Sequence, residues 1–409
     1  MKQGWEIGKL SEIGKVFNGN SINEKVKKDK YTGLDDGLPF IATKDVGFDS
    51  EIDYENGVRI PFNEINKFKI APSNTPLICA EGGSAGRKIG FTNQDVCFGN
   101  KLFALVSNKN VDSKYVYYYY FTSSFQKHFS TEMAGIIGGV SMNKFKDIEI
   151  PLPPLPEQQR IVTILDEAFA AIAKAKANAE QNLKNAKELF ESYLQGLFEN
   201  GNWETKKWGE LCDFVRGPFG GSLKKNVFKE SGYVVYEQKH AIHDHFNQLR
   251  YFIDEEKFNE MKRFEVFPGD IIMSCSGVTL GRVAVVPDGI PKGIINQALL
   301  KLTPKKNVNV HFIKHWLRSS IFQKIIFDYS GGAAIPNVPS AKILKDIKIP
   351  CPSLKEQERI VTEIEIVLNE SNRLEGIYQR KIDDLEELKK SILQKAFAGE
   401  LKTEKAVAV

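Results

Sequence analysis

The chain has 409 residues, 42% of them hydrophobic and 26% charged, with a net charge of +4 at pH 7. That length accommodates two or three domains with their own cores, and the composition is that of a globular chain, neither disordered nor fibrous. No apolar run approaches the roughly 18 residues of a membrane span, and the N-terminal MKQGWEIGKL has no signal-peptide core, so a cytoplasmic protein is expected.

The five cysteines (Cys79, Cys97, Cys212, Cys275, Cys351) form no CxxC pair. They read as buried free thiols, neither disulfides nor zinc ligands. Charge is unevenly spread. Residues 1–150 hold 19 basic and 18 acidic groups, whereas residues 201–350 hold 22 and 15. Segments 151–200 and 351–409 each come to −2. A polyanion is therefore expected on the globular segments, mainly the second.

In chain order, the same elements occur twice. Trp5-Glu6 matches Trp203-Glu204, Leu10 matches Trp208, Glu12 matches Glu210 and Gly19 matches Gly217. Pro72 and Pro268 each precede a short apolar run ending at Cys79 or Cys275. Glycine-rich turns follow, EGGSAGRKIGF (Glu81–Phe91) and SGVTLGRVAVV (Ser276–Val286). Asn100-Lys101 and Asn296-Gln297 then lead into LFALV and ALLKL, read as alternating strands. One helix is expected over Ser113–Phe129 and another over His311–Phe327, sharing the string F-Q-K. Glycine-rich segments come next (Gly135–Val140; Gly331–Ala334), and KDIEIP and KDIKIP close the units at Pro151 and Pro350. Between these anchors, Pro39–Ile70 and Tyr233–Val266 share spacing but few residues. A common frame with unlike interiors points to two modules doing one job on different ligands.

The strongest match is IPLPPLPEQQRIV (Ile150–Val162) against IPCPSLKEQERIV (Ile349–Val361), offset by 199 residues. Its prolines hold the preceding residues extended, so a helix begins only after them. Glu157 and Glu356 then stand in the first turn, where a carboxylate favours the helix dipole. From Ile161 the apolar positions continue through Leu165, Ala168, Ile172, Ala175, Ala179, Leu183, Ala186, Leu189 and Tyr193. The second copy offers Ile360, Ile364, Val367, Ser371, Leu374, Tyr378, Ile382, Leu385, Leu388 and Ile392. That 4–3 spacing predicts a coiled coil. The first helix must deliver the chain to the second module and the second must run back, so the pair is expected to be antiparallel. The fold class is then α+β: two tandem modules (1–150 and 201–350) joined by two helical segments (151–200 and 351–409), a pseudo-twofold dumbbell. The last residues, TEKAVAV, are expected to fray.

A search for catalytic chemistry finds no amino-methyltransferase tetrapeptide (N-P-P-Y or D-P-P-Y) and no complete Walker A string. Gly82–Lys88 has Arg87 where the lysine belongs and lacks the following Ser/Thr. His240, His243 and His245 have no second ligand cluster beside them and read as a solvated or DNA-facing loop. The aromatic run Tyr115–Phe121 reads as core packing, not a base-stacking platform. Candidate nucleic-acid contacts are Thr43 and Lys44 in the first module, and Gln238, Lys239 and His240 in a loop of the second. Arg87, Lys88 and Arg282 in the glycine-rich turns come next, because glycine lets backbone approach a phosphate closely.

With the IP-x-P-x-L-x-EQ-x-RIV strings, the duplicated modules and the paired helices, the chain resembles the specificity subunit of type I restriction-modification systems over nearly its whole length. The segment RGPFGGSLKK, with Arg216, Lys224 and Lys225, also resembles the family's first recognition-domain loop; FNGNSINEKVKK (Phe17–Lys28) in the first copy matches it poorly. The resemblance implies a protein without catalysis or cofactor of its own. Its implied partners are double-stranded DNA read as two half-sites, two modification subunits that use S-adenosylmethionine, and through them restriction subunits. Two readings from other classes are a DNA-binding regulator that works alone, which would protect no adenine, and a coiled-coil scaffold for other ligands, which would show no salt-dependent DNA binding.

If the helices act as a ruler, inserting one heptad into both keeps the seam in phase and adds about 10 Å. At about 3.4 Å per base pair, the gap between half-sites should widen by roughly 1–3 base pairs while the half-site sequences stay the same. Methylome sequencing of the variant reads this directly; the original gap at full occupancy would remove the helices as the determinant of spacing.

Overall fold

In the computed structural model, which describes residues 4–133, 138–277, 279–329 and 337–401, the chain is an α+β protein. It divides into two units, one of Met1–Ala179 with Arg380–Val409 and one of Glu180–Gln379. Of the predicted glycine-rich segments, Gly135–Val140 is described only from Gly138. Gly331–Ala334 lies outside the described residues, as does TEKAVAV.

In the first unit, strand Glu6–Lys9 pairs antiparallel with Glu149–Leu152, so that KDIEIP closes the module onto its own start. A four-stranded antiparallel sheet follows in the order Gly14–Asn18, Leu102–Ser107, Pro76–Cys79, Ile89–Phe91. A second sheet orders Arg59–Ile60, Leu38–Ile41, Val96–Phe98 and Ile70–Ala71, with Leu38–Ile41 parallel to Val96–Phe98. The second unit repeats the plan. Thr205–Lys207 pairs with Lys348–Pro350, and Cys212–Arg216, Leu299–Pro304, Ile271–Ser274 and Val283–Val285 form the four-stranded sheet. Tyr233–Tyr236 lies between Phe252–Ile253 and Gly293–Ile295, again parallel to the latter.

The strands read as alternating are in fact covered on both faces. Phe103 and Leu105 enter one apolar cluster while Leu102 and Ala104 enter another. Leu300 and Leu302 likewise face away from Leu299. Lys301, which breaks the apolar run, is buried with its Nζ donating to the Glu265 carbonyl at 2.5 Å. A buried charge needs such a partner.

The single helix expected over Ser113–Phe129 is two helices, Ser113–Tyr119 and Ser123–Glu132. The buried Thr122 hydroxyl accepts from Phe125 N–H and starts the second, an N-cap that competes with continuing the first. The repeat does the same: Val310–Arg318 ends, Ser319 accepts from Phe322 N–H, and Ser320–Tyr329 begins. The aromatic run is core, as its pattern indicates. Tyr115, Tyr119 and Tyr120 are buried, and the Tyr115 and Tyr119 hydroxyls donate to the carbonyls of Pro151 and Glu149. Four cysteines are buried, and burial pushes the Cys97 and Cys212 thiols up to about 12.

The long helices span Leu155–Asn200 and Leu354–Ala398. Within the first unit, Ile161 and Leu165 share a core with Leu393 and Ala396, and Lys176 pairs with Glu386 at 2.5 Å. Within the second, Leu194 and Phe198 share a core with Ile360 and Ile364, and Ser371 Oγ donates to the Ala186 carbonyl at 2.6 Å. In each unit, then, the helices run antiparallel. Ser371, a polar residue at a seam position, is accounted for by that bond. The predicted seam fails at one repeated place: Leu189 and Leu388 are exposed, and the buried side chains shift to Leu194 and Leu393.

What joins module to helix is the glutamine of the duplicated string. Gln158 is buried; its Oε1 accepts from Asp112 N–H at 2.9 Å and its Nε2 donates to the Pro153 carbonyl at 2.8 Å. Gln357 accepts from Asn309 N–H at 2.8 Å and donates to the Pro352 carbonyl at 2.8 Å. Asp112 and Asn309 are themselves the N-caps of Ser113–Tyr119 and Val310–Arg318. The neighbouring Glu157 and Glu356 form two-pronged pairs with Arg160 and Arg359, in addition to their place in the first turn. Gln158→Ala should strand a buried N–H and a carbonyl and destabilise the first unit by about 1–3 kcal/mol; Gln357→Ala should do the same to the second. Gln158→Glu loses the donor and should be no better tolerated. Denaturant unfolding monitored in each unit checks this; unchanged midpoints would show that the amide is not structurally required.

Candidate nucleic-acid interface

The glycine-rich turns are positioned by a second repeated glutamine. Gln126 Nε2 donates to the carbonyls of Gly86 (2.9 Å) and Tyr120 (2.6 Å), and Gln323 Nε2 to those of Gly281 (3.0 Å) and Leu317 (2.8 Å). Gly86 and Gly281 have φ of +72° and +76°, a region that favours glycine. This explains why F-Q-K and G-R recur together. Immediately after each glycine, Arg87 and Arg282 are exposed.

Most of the first turn's backbone is already bonded: the amides of Gly82, Ala85, Gly86, Arg87 and Lys88 donate to the carbonyls of Gly138, Gly82, Cys79 and Ser84.

In the first module, strand Leu38–Ile41 runs into the tight turn Thr43–Asp45. The structure brings its predicted residues together. Lys88 Nζ donates to the Thr43 carbonyl at 3.0 Å, and Arg87 and Lys88 both lie over the ring of Phe48, 4.9 and 5.2 Å from its centroid. Lys44 is exposed beside them. Phe48, 60% exposed, was not singled out by sequence reasoning. A lone Phe in a Gly-Phe-Asp segment carries no signal until the two cations are seen on its face.

In the second module, Gln238 and Lys239 are not in a loop. They open helix Gln238–His243, which follows Tyr233–Tyr236 as Thr43–Asp45 follows Leu38–Ile41. Gln238 Nε2 reaches the Ser276 carbonyl (3.0 Å) and Oγ (3.2 Å), tying this helix to the glycine-rich turn that carries Arg282. Lys239 and Arg250 flank Glu237 at 3.4 and 3.5 Å. Arg216 ends strand Cys212–Arg216 opposite Leu300, which itself pairs with Met273 just before the same turn. Lys224 and Lys225 are exposed farther along its loop.

His240 is a correction. It is fully buried, stacked on Phe246 with ring centroids 5.8 Å apart, and its Nδ1 accepts from Glu237 N–H at 2.9 Å. Asp45 holds the matching place in the first module, where its carboxylate accepts from Ala42 N–H at 2.8 Å. Both side chains cap a turn from within, so His240 does not face a ligand. Burial holds its ring below the ordinary histidine range, which keeps it a neutral acceptor. The His243 and His245 rings stack 5.7 Å apart, and among the described residues no group of three His, Cys, Asp or Glu side chains is placed to hold a metal.

A family model described as the type I restriction modification DNA specificity domain matches residues 2–184 and again 200–383. The chain is 23% identical over 418 residues to the type I restriction enzyme MjaVIII specificity subunit of Methanocaldococcus jannaschii, covering 97% of this chain and 93% of that one. It is 26% identical over 438 residues to the EcoKI specificity subunit of Escherichia coli K12, covering 98% and 90%. A chain from a solved type I R-M system superimposes with a TM-score of 0.76 at 17% identity, covering 98% of this chain and 99% of that one. The HsdS subunit from Thermoanaerobacter tengcongensis gives 0.65 at 18% identity over 98% of both chains. With two copies of the domain filling nearly its whole length, the chain belongs to the family of type I restriction-modification DNA specificity subunits.

Proposed function

We propose that residues 1–150 and 201–350 each read one half of a bipartite site on double-stranded DNA, with 151–200 and 351–409 as the helical spacers between them. The observation that carries this reading is the pairing of a repeated frame with unlike surfaces at the same place. Where the first module gathers Thr43, Lys44, Phe48, Arg87 and Lys88, the second gathers Gln238, Lys239, Ser276 and Arg282. Arg, Lys and Gln supply the donors and acceptors that discriminate base edges in the major groove. Two different sets on one scaffold specify two different half-sites.

In this reading the chain performs no chemistry. It brings two methyltransferase subunits, which carry S-adenosylmethionine, to adenine within the site, and restriction subunits join through them in the cytoplasm. The purified chain should transfer no methyl group, whereas the chain with its methyltransferase subunits should form a complex with two of them and methylate one bipartite sequence. Sequencing the modified bases of a host with and without the gene identifies that sequence. Methyl transfer by the chain alone would overturn the assignment.

Exchange of residues 1–150 for the matching module of a relative should change one half-site and leave the other intact. Gln238→Ala should weaken specific binding by about 1–3 kcal/mol if its amide turns from Ser276 to a base edge, with the loss confined to the second module's half-site. Competition binding with half-site variants measures both; a change in both halves would break the correspondence of one module to one half-site.

A further inference from the structure

Phe219 is 92% exposed, more than any other large apolar side chain among the described residues. It stands at the tip of a loop whose two roots are fixed. At the first root, a Cβ on Gly217 would lie 1.9 Å from the Asn296 carbonyl oxygen, so no other residue fits. The Gly217 N–H donates to the Leu299 carbonyl at 2.8 Å, and Pro218 is buried. At the second root, Leu223 is buried with Val235, Phe258 and Ile294. Between them, added side chains at Gly220 and Gly221 would meet nothing, and Ser222 N–H closes a turn on the Phe219 carbonyl at 2.8 Å. Arg216 precedes the tip and Lys224 and Lys225 follow it; all three are exposed and make no ion pair among the described residues.

An apolar ring held outward between two anchored roots, with cations on both sides, matches a duplex: phosphates for the cations and a stacked base step for the ring. An apolar pocket on a protein partner would leave three cations unanswered. Resting on the reading of the second module as a DNA reader, we propose that Phe219 is a wedge that enters the base stack at one step of that module's half-site, while Arg216, Lys224 and Lys225 hold the flanking phosphates. Among the described residues, the matching loop of the first module presents no such ring. Its matching Gly19 is equally closed, against the Phe98 carbonyl, but the next residue, Asn20, is tied back to Lys67 and Lys69, and Ile22 packs beside Tyr31 and Phe40. The distortion is therefore one-sided: one half-site is unstacked and the other is read as regular duplex.

The test uses the chain assembled with its methyltransferase subunits, on duplexes of the methylome-defined target carrying 2-aminopurine at successive adenine positions of both half-sites, the methylated adenines excepted because a methyltransferase swings its target base out of the stack. Expected is a fluorescence rise at one step of the half-site that follows residues 201–350 in the exchange experiment, and none in the other. Phe219→Ala should abolish the rise and weaken specific binding roughly 10- to 100-fold, with an unchanged salt slope because no phosphate contact is lost. Phe219→Leu, still apolar, should retain part of both, and unchanged thermal unfolding of each variant confirms that the fold is kept. A rise that persists in Phe219→Ala, or its absence from the second half-site of the native complex, overturns the wedge while leaving two-module recognition standing. Loss of assembly with the methyltransferase in the absence of DNA would mark Phe219 as a protein contact and overturn it as well. A native complex that methylates no defined sequence would instead overturn the recognition reading on which the wedge rests.

Discussion

The structure depends on one side chain that must donate and accept at the same buried point. At the start of each long helix the chain leaves a proline-stiffened strand, and two groups are left inside without secondary-structure partners: an N–H from a helix N-cap and a carbonyl two or more residues before the helix. Gln158 and Gln357 satisfy both at once. A glutamate at that place offers no donor and brings a charge into the interior, while a leucine offers nothing to either group. The identity of the glutamine between copies follows from that requirement.

A second glutamine applies the same logic elsewhere. Gln126 and Gln323 each join a helix start to a left-handed glycine and so fix where Arg87 and Arg282 emerge. Between these fixed points the copies differ in chemistry while keeping geometry. The turn after the central strand is capped by Asp45 in one module and His240 in the other. Where the first module places Tyr117 against Phe121 just beyond the helix end, the second carries Lys314 and Arg318, both paired with Asp244 at 2.6 and 3.1 Å. Ser50 and Asp244 share an unusual left-handed backbone, φ +74° and +56°, so the turn is kept while its bonding is rewritten. A frame that tolerates such exchange can carry new surfaces without refolding.

The frame was legible because a repeat prints the same constraints twice: the closing strands, the glycine-arginine pairs and the EQ string could be aligned by eye. Helix existence and direction followed from spacing and chain order. What spacing did not reveal was whether a polar residue points in or out. His240 read as a ligand-facing group because its neighbours are polar, yet a cap directed into the turn uses the same residue types as a contact directed out of it. Thr122 and Ser319 broke helices that periodicity had joined, since one hydroxyl outweighs an apolar pattern at a cap. Leu189 and Leu388 kept heptad spacing while the buried seam had moved on, because an α-helix drifts about 20° per heptad unless it supercoils. Phe48 carries no motif, and the RGPFGGSLKK string that holds Phe219 does not by itself say that the ring stands outward.

Net charge alone does not say where on a module a polyanion would meet it. Many of the second module's basic groups are held in place by acids, so its excess of seven positive charges lies on the others. Lys314 and Arg318 are spent on Asp244, Lys301 is buried against Glu265 and Asp270, Lys292 faces Glu265, and Lys257 faces Glu260. A pair of one cation and one anion contributes little to a field felt at a distance, whereas Lys314 and Arg318 share one carboxylate and leave a single positive charge there. Arg216, Lys224, Lys225 and Arg282 make no ion pair among the described residues and are all exposed. It is their position, along the loop and turn that flank the module's unlike polar surface, that gives the excess a direction. On the reading proposed for this module, what would orient a polyanion is the uncompensated charge at those places, not the total carried by the segment.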